Sequence, residues 1–237
     1  MILPTPAPCY NIPMRVIFFD IDGTLIRSGG AGKAAMEAAL RDAFGVREVR
    51  GDIPFSGRTD RAIGRDLLAA HGIEPTPENR ARLEAAYLEH LPGSLARVAG
   101  CVLPGVAALM AELAARERMA LGLLTGNVRR GARAKLSHYG LWDYFPFGGF
   151  GDRHFERDDV AREALSEAAR HLGRPPDPSD VWVVGDTPLD VRCARAIGAK
   201  AVAVATGWHS PEELAAARPD WLLADFSDPA ELLAAWG

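Results

Sequence analysis

No apolar run in this sequence reaches the roughly 18–20 residues needed to cross a bilayer. Positive charge is not in excess either: 27 Lys and Arg stand against 31 Asp and Glu, a formal net charge of −4. That balance leaves no basic footprint for nucleic acid and no polybasic grip on an anionic membrane, so neither is expected as a partner. Cysteine is scarce. Cys9, Cys101 and Cys193 are far apart and odd in number, and none forms a CxxC pair. A thiolate zinc site and a disulfide framework are thereby disfavoured, and reduced thiols in a cytoplasmic protein are expected. The opening residues, MILPTPAPCYNIP, have neither the basic start nor the long apolar stretch of a secretory leader, and residues 1–12 read as a loose arm. The histidines share no metal-binding spacing; only His154 is placed where it could edge a cleft.

What the sequence has is ordinary globular material, 48% hydrophobic and 24% charged over 237 residues. Short apolar runs without polar alternation occur at Arg15–Asp20, Ala120–Thr125, Val181–Gly185 and Lys200–Ala205. Weaker ones lie at Trp221–Leu223 and around Phe147. Such runs fit strands covered on both faces, as in a parallel sheet. Helical periodicity fills the gaps at Gly105–Glu117, Arg129–Tyr139, Asp159–Leu172 and Leu189–Ile197. Strand–helix alternation predicts an α/β fold with a doubly wound, Rossmann-like parallel sheet. Between Ile26 and about Ala99 no strand is evident. Helices are expected there over Gly32–Phe44, Asp60–His71 and Thr76–Leu91, with Thr76 capping the third ahead of Pro77. The chain therefore divides into an α/β core, residues 13–25 and 100–237, and an inserted all-helical cap, residues 26–99, hinged at the glycine-rich stretch Ile26–Ala35.

In open parallel sheets ligands sit beyond the carboxyl ends of the strands. Three such ends carry polar groups: DIDGT (Asp20–Thr24), LLTGN (Leu123–Asn127) and the GDTPLD that closes at Asp190. One sheet edge would gather Asp20, Asp22, Thr125, Asp186 and Asp190. Carboxylates so crowded repel one another unless a cation lies among them, and hard oxygen donors favour Mg²⁺. The Thr125 hydroxyl and the amides of Gly126 and Asn127, where a helix begins, form an anion cradle. A metal and an anion site around one exposed carboxylate suggest phosphoryl transfer through an aspartyl-phosphate.

DIDGT, then TGN, then GDTPLD, in that order and each at a strand end, resembles the haloacid dehalogenase superfamily. The likeness runs from about Pro13 to the C-terminus and is nearest to the phosphoglycolate-phosphatase-like branch with a helical cap. The resemblance implies that Asp20 is the nucleophile, and that Asp22 protonates the leaving alcohol, later activates water, and offers its carbonyl to the metal. It implies that Thr125 binds the phosphoryl oxygens, that Asp186 ligates Mg²⁺, and that Asp190 supports that shell. Dehalogenases and phosphonate-cleaving members lack an acid at the position of Asp22, so this chain resembles the phosphatases and phosphomutases. The partner implied is a small phosphorylated metabolite, handled by a monomer or homodimer. A phosphomutase and a non-catalytic phosphate-binding domain are the alternatives.

The sequence departs from the family pattern in one respect. The lysine usual between the third and fourth strands is missing: the only lysines are Lys33, Lys135 and Lys200. Arg157 stands nearest the expected place, with Arg153 second, and an arginine can hold phosphate through a fork of hydrogen bonds. In the cap, FSGRTDR (Phe55–Arg61) is the expected specificity loop, with Arg58 either on a substrate carboxylate or in water, and Thr59 or Ser56 as helix cap. Lys33 and the run Arg129–Arg133 are expected on solvated faces, and all five tryptophans are expected to pack.

Overall fold

Val16, Ile17, Phe18 and Phe19 are all fully buried, which is the outcome their unbroken apolar character demands of a central strand. They belong to β1 (Arg15–Phe19) of a computed structural model that describes residues 14–51 and 53–237. The expected N-terminal arm and Cys9 lie outside the described residues. The chain continues through β2 (Ile26–Arg27), α1 (Ala31–Phe44), α2 (Asp60–Ala70), α3 (Pro77–Arg97) and β3 (Cys101–Val102). It returns as α4 (Val106–Ala114), β4 (Met119–Leu124), α5 (Arg129–His138), β5 (Phe147–Gly149) and α6 (Arg157–Leu172). It ends with β6 (Val181–Gly185), α7 (Pro188–Ala196), β7 (Lys200–Val204), α8 (Pro211–Ala216), β8 (Trp221–Leu223) and α9 (Ala230–Trp236).

Six strands form one parallel sheet in the order β5-β4-β1-β6-β7-β8, with Ile17 level with Leu121 on one side and Trp182 on the other. The two-residue period of a strand divides β1 between two cores. Ile17 and Phe19 face Trp182, Val184 and the apolar sides of α4 and α9. Val16 and Phe18 face Val181, Val183 and the alanine-rich sides of α6 and α7. All six strands expected from the apolar runs are present.

The helices α1, α2 and α3 bury a third core of their own around Leu40, Leu67, Tyr87 and Leu91, and so form the helical cap. Thr59 caps α2 by accepting from the Ala62 amide, and Thr76 caps α3 by accepting from the Asn79 amide, with Pro77 as first helical residue. One expectation is corrected here. Ile26–Arg27 is not free loop but pairs antiparallel with Cys101–Val102. The chain thus leaves and re-enters the core through a two-stranded ribbon. Two residues are too short a run to leave a periodic signature. A second correction concerns the tryptophans: Trp182 and Trp236 are buried, but Trp208 is 92% exposed. Among the described residues no helix is long and apolar enough to cross a membrane.

Gly122 shows how tightly the sheet is covered. The rings of Phe18 and Phe147 meet edge to face over it, centroids 5.9 Å apart. A Cβ at this position would lie 2.5 Å from the Phe147 ring. Gly122→Ala is expected to cost about 1–3 kcal/mol through overpacking, read as a lower urea midpoint at unchanged m-value; an unchanged midpoint would refute the close fit.

Candidate active site

The site begins where β1 ends. Asp20 is still in the ladder, its amide donating to the Val184 carbonyl at 2.9 Å, and its side chain is buried. The chain then turns sharply, and the amides of Leu25 and Ile26 both donate to the carbonyl of Ile21. Gly23 makes this turn at φ 85°, and a Cβ there would fall 2.3 Å from Asp186 Oδ2. Glycine is therefore required on two counts, a left-handed backbone and close approach of a carboxylate. Thr24 donates to Asp186 Oδ1 at 3.1 Å, tying the two strand ends together.

Asp186 follows β6, and Asp190 lies one turn into α7. Asp190 forms a capping box with Thr187, whose amide and hydroxyl both donate to its carboxylate. Oxygens of Asp20, Asp186 and Asp190 lie within 4.8 Å of one another, and all three residues are buried. Burial raises the Asp20 carboxyl to about 6, against the opposing pull of Arg157. Burial, with Asp190 and Asp20 as neighbours, pushes Asp186 well above the usual carboxylate range. Arg157 offsets only part of the negative charge of this cluster. A hard divalent cation among these oxygens would offset the rest, and an all-oxygen donor set suits Mg²⁺. Asp190 has less capacity to spare, because Arg157 donates to one of its oxygens and Thr187 to the other.

Arg157 is the buried cation of this cluster. It opens α6, pairs with Asp190, and reaches Asp20 at 3.5 Å. Arg153, the second choice for this place, has no part in it among the described contacts. Burial works against the Asp22 carboxylate, but Lys135 overrides it, and with Asn127 and Ser28 holds Asp22 below its ordinary range. Lys135 Nζ lies 2.6 Å from Asp22 Oδ2 and 2.6 Å from Asn127 Oδ1, and its own side chain is only 6% exposed.

In the TGN turn after β4, Thr125 and Asn127 are hydrogen-bonded to each other, and Gly126 borders the cleft. Thr125 Oγ1 accepts from Asn127 Nδ2 at 2.8 Å, and Asn127 Nδ2 also donates to Asp22 Oδ2 at 3.0 Å. The expected helix start is already engaged by carboxylates: Val128 N donates to Asp60, and Arg129 N to Asp152, each at 2.9 Å. The first of these is a cap residue. The cap docks here through three more bonds: Asp60 N to the Gly126 carbonyl (2.7 Å), Thr59 Oγ1 to the Phe155 carbonyl, and Arg61 to the Asp152 carbonyl (both 3.1 Å). Arg58 is held within the cap. Its guanidinium pairs with Asp66 at 2.5 Å and donates to the Pro54 carbonyl at 3.2 Å, while the residue borders the cleft. That cleft, about 1020 Å³, is lined by Asp20, Asp22, Asn127, Lys135, Arg157 and Asp186 from below, and by cap residues from above.

The family model for haloacid dehalogenase-like hydrolases matches residues 17–195. The chain belongs to the haloacid dehalogenase-like hydrolase family. Phosphoglycolate phosphatase of Synechococcus elongatus is 34% identical over 215 residues, covering 91% of this chain and 95% of that one. "Probable phosphatase IndB" of Dickeya dadantii is 31% identical over 225 residues, covering 90% of each chain. In fold the chain is similar to CbbY from Rhodobacter sphaeroides, solved in complex with phosphate: TM-score 0.72, 22% identity, 92% of this chain and 96% of that one. These relatives set this hydrolase in the phosphoglycolate-phosphatase-like branch, as an enzyme of phosphatase type.

Two residues of the hydrolase site escaped the sequence reading. Asp60, half-buried in the cap and raised to about 6 by desolvation, carries one of the docking bonds. Lys135 had a legible signal. Buried Ala132, Lys135 and Leu136 follow the i, i+3, i+4 spacing of the inward face of α5, where a lysine is out of place unless paired. Lys135→Met leaves Asp22 and Asn127 facing an uncharged stem. It is expected to cost about 1–3 kcal/mol of stability and to slow hydrolysis of alkyl phosphates more than that of 4-nitrophenyl phosphate, whose leaving group needs no proton. Equal losses on both esters would remove Lys135 from control of Asp22.

Proposed function

We propose that this hydrolase is a Mg²⁺-dependent phosphatase that cleaves a small-molecule phosphate monoester through an aspartyl-phosphate on Asp20. The observation that carries the reading is Asp20 at the cleft floor, 3.5 Å from buried Arg157, with Asp22 two residues on and bonded to Lys135 and Asn127. Asp20 and Asp186 would hold the cation, with Asp190 bracing them and the Asp22 carbonyl beside them. Bound there, Mg²⁺ would neutralise charge on the transferring phosphoryl group. Thr125, the amides of Gly126 and Asn127, and Arg157 would bind the phosphoryl oxygens.

In the first half-reaction an oxygen of Asp20 forms a bond to phosphorus, the bond to the leaving oxygen breaks, and that oxygen takes a proton from the Asp22 carboxyl. In the second, water attacks phosphorus as Asp22 accepts its proton, and the Asp20 carboxylate leaves. The ion pair with Lys135 presets Asp22 in the basic form that the second half needs. For the first half Asp22 must be protonated, and substrate phosphate entering beside Lys135 would compete for that cation and make protonation easier. The cap, residues 26–99, would cover the site, with Arg58 available to substrate only if it gives up Asp66. The reading places the enzyme in the cytoplasm, as a monomer or homodimer. Phosphoglycolate phosphatases among the relatives make phosphoglycolate the first compound to try.

Phosphate release measured with a panel of phosphorylated metabolites is expected to require Mg²⁺ and to stop on chelation. Asp20→Asn is expected to lower it by at least about 10³-fold. Acid-quenched enzyme is expected to retain labelled phosphate in the wild type and none in Asp20→Asn. Label that persists in the variant would place the covalent step elsewhere.

A further inference from the structure

Trp208 stands out among the large apolar side chains described. Only Leu222, at 38%, shares its class of exposure, and Trp208 is 92% exposed. A single exposed apolar residue is ordinary on a protein surface. What distinguishes this one is the backbone that carries it. Thr206 Oγ1 donates to the Gly23 carbonyl at 2.5 Å, and Arg27 donates to the Thr206 carbonyl at 3.2 Å. Gly207 is pressed so closely on Asp186 that a Cβ there would lie 1.7 Å from Oδ2. On the other side Ser210 closes a capping box with Glu213. The indole is thus carried on a segment fixed directly to the catalytic turn and to a proposed metal ligand, and it borders the same cleft as Asp20.

The rest of the cleft fits a substrate with an apolar, extended leaving group. Its volume, about 1020 Å³, is at the upper end of the roughly 300–1,000 Å³ typical of sites for drug-sized ligands. This space is present with the cap bonded to the TGN turn through Asp60, which also borders the cleft. Facing it from the cap are Met36, Ile53, Phe55 and Ile63. The cap arginine best placed to grip a compact dianion, Arg58, is held by Asp66. An exposed indole on an anchored backbone, at a cleft that these apolar cap residues also line, is a surface suited to stack a flat ring.

We propose that Trp208 is a specificity-determining residue and that the preferred substrates are phosphate monoesters whose alcohol carries a planar ring. The proposal rests on the phosphatase reading and narrows its substrate class. The probe pair is adenosine 5′-monophosphate and ribose 5-phosphate, which share the ribose 5-hydroxyl as leaving oxygen and differ in the base. Wild-type enzyme is expected to favour the first in kcat/KM by about 5- to 100-fold, the range of base–aromatic stacking. Trp208→Ala is expected to remove that preference through KM and to leave ribose 5-phosphate and inhibition by inorganic phosphate within about twofold. Trp208→Phe is expected to retain most of it.

Binding is read separately in Asp20→Asn, as quenching of the exposed indole by adenosine 5′-monophosphate. If no ester is hydrolysed yet quenching occurs and is lost in Asp20→Asn/Trp208→Ala, the phosphatase reading fails and the ring site stands. Three results overturn the ring site: equal use of the two esters by the wild type, equal losses on both in Trp208→Ala, or a variant that changes only the oligomeric state in light scattering.

Discussion

Everything in the cleft answers to one electrostatic constraint: carboxylates gathered where water is scarce. Asp20, Asp186 and Asp190 are buried together, and Asp22 joins them half-buried. Charges so placed are costly unless each is paired and hydrogen-bonded. Two buried cations meet part of the need. Arg157 serves Asp20 and Asp190, and Lys135 serves Asp22. Asp186 has hydrogen bonding from Thr24 but no cation of its own among these pairs. Burial, more than their neighbours' charge, shifts Asp20 and Asp186 upward, and a divalent ion among them would oppose that shift.

The same constraint explains where glycine is found. Gly23 and Gly207 both pass so near Asp186 that a side chain would displace its carboxylate. Gly126 and Gly151 do the same for the cap junction, since a Cβ on Gly126 would lie 2.0 Å from the Arg58 carbonyl and one on Gly151 2.0 Å from the Gly126 carbonyl. Bare backbone is thus used twice, once to bring the acid-bearing turns together and once to let the cap meet the TGN turn. Phe155 adds a second contact at the junction, lying beneath Arg61, Arg65 and Arg80 of the cap at 4.8 to 5.8 Å. Cap position and the arrangement of Asn127 are mechanically joined, because Asp60 holds the amide next to it.

The sheet and its acids were readable because each is local. A buried parallel strand is a continuous apolar run, and a carboxylate at its end interrupts that run visibly, as in IFFDID. Arg157 was readable only through the resemblance, which says where a cation belongs. Lys135 was not, since its partner Asp22 is 113 residues away and the expected lysine position lies elsewhere in the chain. Its place on the buried face of α5 was the available sign. Asp60 and Trp208 gave none. A capped helix start reads the same whether its acid faces water or a distant amide, and a tryptophan in a sequence carries no mark of exposure. The ribbon of Ile26–Arg27 with Cys101–Val102 is legible only when both halves are brought together in space.

The absent lysine and the present arginine are one arrangement rather than a loss. A lysine at the start of α6 would bring a single ammonium, able to offset one carboxylate well. Arg157 has a planar fork, and its two terminal nitrogens are divided between Asp190 on one side and Asp20 on the other. Asp190 is in turn fixed by Thr187, so the fork is anchored at one end and turned toward Asp20 at the other. The compact point charge that such a site otherwise lacks is supplied from α5, where Lys135 meets Asp22 and Asn127. Two cations on two helices thus share the carboxylates of the cleft: the fork of Arg157 faces Asp20 and Asp190, and the buried ammonium of Lys135 holds Asp22.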